Sequence, residues 1–260
     1  MPEPYELYAL RYATNSPRTA ADNFLDGDPH ENGSALDFSV WVARNAERTI
    51  VIDLGFTAEA AAKRGRTYLR SPMDGVRALG IDPLAVDTVI VTHFHYDHIG
   101  NQAGFPNAVL HVQDKEMAYA TGRHMTHPRL RGAFDPDDVA AMVRAVYAGR
   151  VVFHDGDWEA APGITCALVG GHTLGLQIVR VATRRGYVVL ASDAMHLYAN
   201  AAEGRPFPIV HDIGAMIEGW RRARELADSD DHIIPGHDPL VLSRYPTSDE
   251  HIADLAQEPR

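Results

Sequence analysis

The stretch His93-Phe94-His95-Tyr96-Asp97-His98 constrains this chain more than any other feature of its sequence. It follows the apolar run at 86–92, which is typical of a buried strand. Neutral imidazole and carboxylate oxygen are suitable ligands for zinc. Side chains alternate along an extended segment, so His93 and His95 can face the same side, while Asp97 and His98 come after a turn and can face a second ion. The motif therefore predicts a metal site at the end of a strand.

Residues of the same ligand type follow three later predicted strands. His172 comes after a strand at 164–169, Asp193 after a strand at 187–191, and His237 after a strand at 232–234. Glycines precede His172 and His237, and glycine allows a close backbone approach where a site is crowded. Because ligand-type residues follow four predicted strands, counting the one before His93, we expect these residues to meet in one metal centre. The predicted ligands are His93, His95, Asp97, His98, His172, Asp193 and His237.

Strands dominate both halves of the chain, with helices between them. The predicted strands are 5–12, 36–43, 48–53, 86–92, 108–112, 151–154, 164–169, 177–183, 187–192 and 232–234, and the predicted helices are 57–69, 72–79 and 214–226. Two sheets packed face to face with helices outside are the economical arrangement for this α+β pattern. A length of 260 residues favours one domain over 1–260, with a helical insertion at about 113–150.

The net charge, the N-terminal sequence and the length of the apolar runs limit the partners of this protein and its location in the cell. There are 24 Lys and Arg against 35 Asp and Glu, a net charge of −11, so a nucleic-acid partner is not expected. Cys166 is the single cysteine and cannot form an internal disulfide. Met1-Pro2-Glu3 does not begin a signal peptide, and no run approaches the ~20 apolar residues of a membrane helix. We expect a cytoplasmic protein without a membrane partner.

The order H-x-H-x-D-H, a single His, an Asp and a last His resembles the metallo-β-lactamase superfamily over roughly residues 36–240. That resemblance implies a four-layer αββα sandwich and two divalent metal ions per chain, for which zinc is the expected metal. It implies that His93, His95 and His172 bind one metal and that Asp97, His98 and His237 bind the other. Asp193 would bridge the two ions.

A centre of this kind implies a hydrolytic mechanism. Two metal ions about 3.5–4 Å apart share a water molecule and lower its pKa, so that a bridging hydroxide forms near neutral pH and attacks a carbonyl or phosphoryl group. Asp97 is the candidate catalytic residue that accepts or passes on a proton. Asp53 is a candidate for orienting a ligand histidine from behind. Capping of the turn at Leu54-Gly55 is the alternative role of Asp53.

Within the superfamily the chain resembles the N-acyl homoserine lactonase group. Members of that group share its length, the bridging Asp, a long loop near the N-terminus and a helical insertion, and residues 15–34 and 113–150 match the last two in position. Cys166 lies inside a strand, which does not suit the Cys ligand of one zinc β-lactamase group. The 23 residues after His237 leave no room for the helical domain of glyoxalase II. The resemblance implies a homodimer that opens a lactone ring, a quorum-quenching activity.

One position departs from the lactonase pattern. Those enzymes carry a Tyr three residues after the bridging Asp, and this chain has His196 there. We expect His196 to donate a hydrogen bond to the substrate or to act as a general acid, with an ordinary pKa of about 6.5. Tyr198, Phe207 and His211 are the further candidates for substrate binding.

Three other functions stay open at this point. The same centre suits another ester, a thioester or an amide. A mononuclear-iron dioxygenase that resembles the persulfide dioxygenases is a second alternative, and a binding module without catalysis is a third. About two zinc ions per chain would favour hydrolysis, whereas one iron and oxygen consumption would favour the dioxygenase. Sites of this kind also accept manganese and cobalt.

Overall fold

The computed structural model describes residues 3–260, so Met1 and Pro2 of the predicted domain lie outside the described residues. The strands are β1 (Glu6–Asn15), β2 (Leu36–Arg44), β3 (Thr49–Ile52), β4 (Thr67–Tyr68), β5 (Thr88–Ile90), β6 (Val109–Gln113), β7 (Val151–His154), β8 (Trp158–Ala161), β9 (Ile164–Leu168), β10 (Gln177–Thr183), β11 (Gly186–Ser192), β12 (Ile233–Pro235), β13 (Thr247–Asp249) and β14 (Ile252–Asp254). The helices are α1 (Ala20–Asn23), α2 (Ala58–Arg64), α3 (Pro72–Ala78), α4 (Tyr96–Ile99), α5 (Asp114–Thr121), α6 (Pro128–Arg131), α7 (Pro136–Tyr147), α8 (Tyr198–Glu203), α9 (Ile213–Leu226) and α10 (Leu240–Arg244). Short 3-10 turns lie at Pro83–Ala85, Gln102–Gly104, Arg123–Thr126 and Asp230–His232.

The strands form two sheets. One has the order β13-β14-β1-β2-β3-β5-β6-β7 with β4 paired to β1, and the other has the order β12-β11-β10-β9-β8. Strands β3, β5, β6 and β7 are parallel, as are β11 and β12, and the other pairs are antiparallel. Each sheet carries helices on its outer face, which confirms the predicted α+β class and αββα order.

Strand β2 shows why the chain folds into these layers. Val40 and Val42 pack into a core cluster that contains residues of α2, α3 and α7, whereas Trp41 and Ala43 pack into a cluster shared with β10 and β11 of the other sheet. Successive side chains on a strand point to opposite faces. The strand is apolar throughout because both of its faces are covered.

The predicted helix at 57–69 is wrong after Arg64. Helix α2 ends there because Gly65 adopts a left-handed conformation with φ of 65°, the conformation that commonly ends a helix. Residues Thr67–Tyr68 then pair with β1 as β4. Strands β8, β13 and β14 and the helix α1 inside the loop at 15–34 were not predicted.

Four helical segments lie between β6 and β7, where the sequence predicts a helical insertion at about 113–150. They begin directly after Gln113 and end at Tyr147. The organisation of residues 1–260 as a single domain stays a prediction. Across residues 3–260, no helix combines the length and the apolar character that crossing a bilayer requires.

Candidate metal centre

The seven predicted ligands come from four loops that follow strands. His93 and His95 lie after β5, and Asp97 and His98 lie in the single turn of α4. His172, Asp193 and His237 follow β9, β11 and β12. All seven side chains are buried. The structure brings them together at one end of the sandwich, where both sheets contribute.

The first group consists of His93, His95, His172 and Asp193. Nδ1 of His95 lies 3.2 Å from Nε2 of His93 and 2.8 Å from Nε2 of His172. Oδ2 of Asp193 lies 3.1 Å from Nε2 of His172. Three imidazole nitrogens and one carboxylate oxygen thus point at a common space.

The second group consists of Asp97, His98 and His237. Oδ2 of Asp97 lies 3.7 Å from Nε2 of His98 and 3.6 Å from Nε2 of His237. Oδ1 of Asp193 lies 3.0 Å from Nε2 of His237 and 3.5 Å from Nε2 of His98. Asp193 therefore faces both groups, with a different oxygen toward each.

These donors fit divalent metal ions. Zinc binds nitrogen and oxygen at about 2.0–2.2 Å, which puts tetrahedral ligand atoms about 3.3 Å apart, and the separations above scatter around that value. Nε2 of His98 and Oδ1 of Asp193 are buried without a hydrogen-bond partner. A buried polar atom without a partner is costly, and a bound cation would satisfy both atoms.

Three of the histidines are oriented from behind. Nδ1 of His98 lies 2.7 Å from Oδ2 of Asp53. Nδ1 of His172 donates to the carbonyl of Ile209 at 2.6 Å, and Nδ1 of His237 donates to the carbonyl of Asp37 at 2.9 Å. Each contact holds a proton on Nδ1, so the lone pair of Nε2 is directed into the site.

Asp53 occupies the orienting position that the sequence suggested. Besides His98, its carboxylate accepts hydrogen bonds from the backbone N–H and the hydroxyl of Thr92, at 2.7 and 2.8 Å. Its backbone is left-handed, with φ of 62°, a conformation that Asp and Asn tolerate better than most residues. The carboxylate thus ties the end of β3 to the loop that carries the first ligands.

The electrostatics separate the histidines into two kinds. Burial and then neighbouring histidines hold the pKa of His93 and of His95 well below the ordinary range. Burial also opposes the charge of His98, but Asp53, Asp193 and Asp97 outweigh it and raise the pKa of His98 to about 10. A proton therefore competes with a metal ion for Nε2 of His98, and metal binding there would release it.

His196 is the one predicted substrate residue that reaches the cavity above these groups. Its Nε2 lies 3.0 Å from Oδ2 of Asp193, and its ring stacks on Phe207 with centroids 3.6 Å apart. Burial lowers the pKa of His196 to about 3, despite Asp193. A neutral imidazole suits hydrogen-bond donation better than the general-acid role expected from its ordinary pKa.

The other three predicted substrate residues lie elsewhere. Phe207 is fully buried behind His196. Tyr198 begins α8 on the far side of the turn, and its ring lies 4.1 Å from the guanidinium carbon of Arg244. His211 packs beside His124, with ring centroids 5.2 Å apart. None of the three is among the residues that line the cavity.

Glu116 at the start of α5 was missed by sequence reasoning. It is buried, and its carboxylate accepts from the backbone N–H of Phe94 at 2.8 Å and of Gly175 at 2.9 Å. It therefore joins the two loops that carry His95 and His172. A Cβ at Gly175 would lie 2.2 Å from the nitrogen of Glu116, so this close approach requires glycine. An acidic residue in the first turn of a helix is common, so the sequence did not indicate that Glu116 is buried.

A cavity of about 280 Å³ opens above the metal ligands. Apolar wall residues include Leu36, Phe38 and Leu130, and Tyr96 and Tyr119 also line it. Four arginines line it as well, and sequence reasoning assigned none of them to the site. They are Arg18, Arg64, Arg66 and Arg129. The arrangement can hold a small molecule with one end at the metal ligands and the other near cationic groups.

Comparisons with known proteins agree with this architecture. The family model of the metallo-beta-lactamase superfamily matches residues 37–237, a stretch that contains all seven candidate ligands. The chain is 25% identical to an N-acyl homoserine lactonase of a Bacillus species over 224 residues, which are 79% of this chain and 84% of that protein. It is 26% identical to N-acyl homoserine lactonase AiiB of Agrobacterium fabrum over 227 residues, 78% of this chain and 80% of that protein.

Solved structures show the same fold. The crystal structure of a quorum-quenching N-acyl homoserine lactone lactonase superposes with a TM-score of 0.77 at 20% identity, over 92% of this chain and 95% of that one. AidC, a dizinc quorum-quenching lactonase, superposes with a TM-score of 0.73 at 16% identity, over 90% of this chain and 88% of that one. At these identities the likeness concerns the fold.

Proposed function

Because the chain belongs to the metallo-beta-lactamase superfamily, we propose that this metal-dependent hydrolase opens the ring of a lactone at a centre of two divalent metal ions. The observation that carries the proposal is the position of Asp193, whose two oxygens face two separate groups of buried ligands. The relatives at 25% and 26% identity are N-acyl homoserine lactonases, which favours a lactone over other carbonyl substrates. With an acyl homoserine lactone, the reaction would be quorum quenching.

The residues of this chain would divide the work as follows. His93, His95 and His172 would hold one ion, Asp97, His98 and His237 the other, and Asp193 both. When bound, two such ions polarise a carbonyl and make water nucleophilic near neutral pH.

Asp97 and His196 would serve the substrate directly. The carboxylate of Asp97 lines the cavity and would accept the proton released on attack. The Nε2–H of His196, which lies beside Oδ2 of Asp193, would be shared with an oxygen of the substrate, from the position that a Tyr occupies in the lactonase pattern. Its ring is fixed for this by Phe207.

A hydrolysis assay with matched variants tests the proposal. The zinc-loaded protein should hydrolyse N-hexanoyl homoserine lactone, as followed with a pH indicator, and bind about two zinc ions per chain. His98→Ala and Asp193→Ala should abolish hydrolysis and lower the bound metal. His30→Ala, which removes an exposed histidine outside the cavity, should retain both. Full activity in His98→Ala or Asp193→Ala, or one bound iron with oxygen consumption, would exclude a dinuclear hydrolase.

Three finer points remain predictions. They are zinc as the native metal, a homodimer as the assembly, and the cytoplasm as the location. Metal analysis of the protein purified without added metal and light scattering in solution test the first two.

A further inference from the structure

The cavity is lined by several arginines although the chain as a whole is acidic. The chain carries a charge of −11, yet Arg18, Arg64, Arg66 and Arg129 all line the cavity. Several arginines elsewhere pair with acidic residues, as Arg70 does with Asp249 at 3.1 Å. Within residues 3–260, none of the four cavity arginines has a carboxylate oxygen within the 4.0 Å of an ion pair.

Two of the four are engaged in holding the wall of the cavity. Arg64 donates to the carbonyls of Gly132 and Phe134, at 3.1 and 3.0 Å, and lies 3.9 Å from the ring centroid of Tyr96. Arg129 is exposed at the rim and donates to the carbonyl of Pro208 at 3.2 Å. Backbone carbonyls satisfy these donors without neutralising their charge.

Arg18 and Arg66 keep more of their hydrogen-bonding capacity. Arg66 donates through Nε to the hydroxyl of Tyr96 at 3.1 Å, which leaves the outer nitrogens of its guanidinium group available. Arg18 donates to the carbonyl of Asp22, and its Nε is buried without a partner. Both side chains are half-buried.

The two groups also repel each other. Burial lowers the pKa of Arg18, and Arg66 lowers it further, although Asp22 and Tyr96 act in the opposite direction. Like charges on two half-buried side chains are unfavourable, and Asp22 offsets this only for Arg18. A guanidinium group offers a planar fork of donors that matches a carboxylate or phosphate, so a bound oxyanion would compensate both arginines at once.

We propose, building on the lactonase function above, that the substrate carries an oxyanion group, which Arg18 and Arg66 bind beside Tyr96 while the scissile carbonyl lies at Asp193 and His196. The carboxylate and the phosphate of a small molecule share this chemistry. A neutral acyl chain in the same place would cover the two guanidinium groups without pairing them, and a site with buried polar groups discriminates against a ligand that leaves them unpaired. The arginines therefore specify an anionic lactone over a neutral one.

A matched set of lactones tests this inference. The substrates are N-hexanoyl homoserine lactone, N-adipoyl homoserine lactone, in which a carboxylate replaces the terminal methyl group of the six-carbon chain, and the analogue with a phosphonate in place of that carboxylate. We expect kcat/KM to be about tenfold or more higher for an anionic member than for the neutral one, because hydrogen bonds between charged groups are stronger than those between neutral groups. The higher of the two anionic arms identifies the oxyanion, and the gain should appear mainly in KM.

Arginine variants locate the effect. Arg18→Gln and Arg66→Gln should lower kcat/KM for the anionic lactones more than for the neutral one and so bring the preference close to unity, and Arg66→Lys should restore part of the preference. Arg144→Gln removes one charge from an exposed position outside the cavity and should keep the full preference. Equal kcat/KM for the three lactones in the wild type, or an unchanged preference in both Gln variants, would overturn the inference and leave the lactonase function intact.

A binding measurement separates the two proposals. If no lactone is hydrolysed, the lactonase function fails, and calorimetric titration of the zinc-loaded protein with the same intact lactones still tests the oxyanion site. Tighter binding of an anionic lactone to the wild type than to Arg66→Gln supports the site. Equal affinities for the neutral and anionic lactones overturn it.

Discussion

Asp193 is a buried carboxylate, and the imidazoles around it offset the free-energy cost of burying its charge. An isolated buried charge is strongly unfavourable. Burial opposes the ionised form here as well, but His237, His196, His98 and His172 outweigh it and hold the pKa of Asp193 well below its usual range. The ionised form of the carboxylate is therefore favoured. A single residue can thus offer one anionic oxygen to each group of ligands.

Asp53 gives the first prediction at this scale. Asp53→Asn keeps the shape and the left-handed backbone but exchanges one carboxylate oxygen for an amide nitrogen, which weakens the contact that orients His98. Loss of such a contact behind a ligand typically lowers metal affinity about 10–100-fold. We expect competition with a chelator of known affinity to show this loss for one of two zinc ions, with the other retained.

The matched control for this variant is Asp87→Asn, which removes an exposed charge outside the centre. Its zinc affinities should equal those of the wild type. If Asp53→Asn also binds both ions with wild-type affinity, Asp53 has no part in orienting His98.

His196 gives a second prediction. The change His196→Phe preserves the stacked ring against Phe207 but removes the N–H beside Asp193. We expect kcat for lactone hydrolysis to fall about 100-fold or more, the range of a lost proton or hydrogen-bond donor at a reaction centre, with two zinc ions still bound.

The control for His196 is His30→Phe, which makes the same change at an exposed position outside the cavity. Its kcat should equal that of the wild type. Unchanged turnover in His196→Phe would make His196 a packing residue.

At the scale of elements, the sequence predicted the strands and helices whose positions follow from the local pattern of apolar residues. The strands that deliver ligands were predicted to within a few residues, because both faces of each are covered and their apolar runs are continuous, as in β11 (Gly186–Ser192). The ligands themselves were visible as His and Asp directly after those strands. The helix at 57–69 was predicted too long because Gly65 was not recognised as a C-terminal cap.

What the sequence could not show depends on contacts between distant segments. Glu116 is remote from Gly175 in the chain, and only the folded structure reveals that its carboxylate holds two ligand loops. The same applies to Arg18, Arg66 and Arg129, which come from three separate segments to one cavity. Tyr198 is a substrate candidate because it follows Asp193 closely in sequence, and Phe207 because it is an apolar aromatic residue, but both lie in packed regions.

The contact between β6, β7 and β8 gives a prediction for the elements. His111 on β6 and His154 on β7 stack with Trp158 on β8, so the stack joins the two sheets. Burial and His154 lower the pKa of His111 to about 4. The folded state therefore binds this proton less tightly than the unfolded chain, whose His titrates near 6.5. Its contribution to stability is complete above pH ~6.5 and is lost as the pH falls toward about 4.

We expect His111→Gln to remove this acid sensitivity. Between pH 7 and pH 5, the free energy of unfolding of the wild type should fall by about 1 kcal/mol more than that of the variant, after allowance for the exposed part of the side chain. Urea unfolding at the two pH values measures this difference. His30→Gln, at an exposed position, should lose as much stability as the wild type, and equal losses in all three proteins would show that the stack does not titrate.

At the scale of the whole molecule, the candidate centre lies where the two sheets meet. His93, His95, Asp97 and His98 follow β5 of the first sheet, whereas His172, Asp193 and His237 follow β9, β11 and β12 of the second. Bound metal would therefore link the two halves of the sandwich. The unfolded chain cannot assemble these distant ligands, so the free energy of metal binding contributes to folding.

Removal of metal should accordingly lower the thermal stability of the entire protein. A ligand that binds the folded state at about a thousand times its dissociation constant stabilises it by about 4 kcal/mol, which corresponds to about 10 °C in Tm for a chain of this size. We expect dialysis against a chelator to lower Tm by about that amount and added zinc to restore it. Dialysis against the same chelator saturated with zinc should have no effect. Because Asp193 faces both groups, Asp193→Ala should lose most of the zinc-dependent increase in Tm, whereas His30→Ala should keep it. If the Tm of the wild type does not respond to zinc, metal does not link the two sheets.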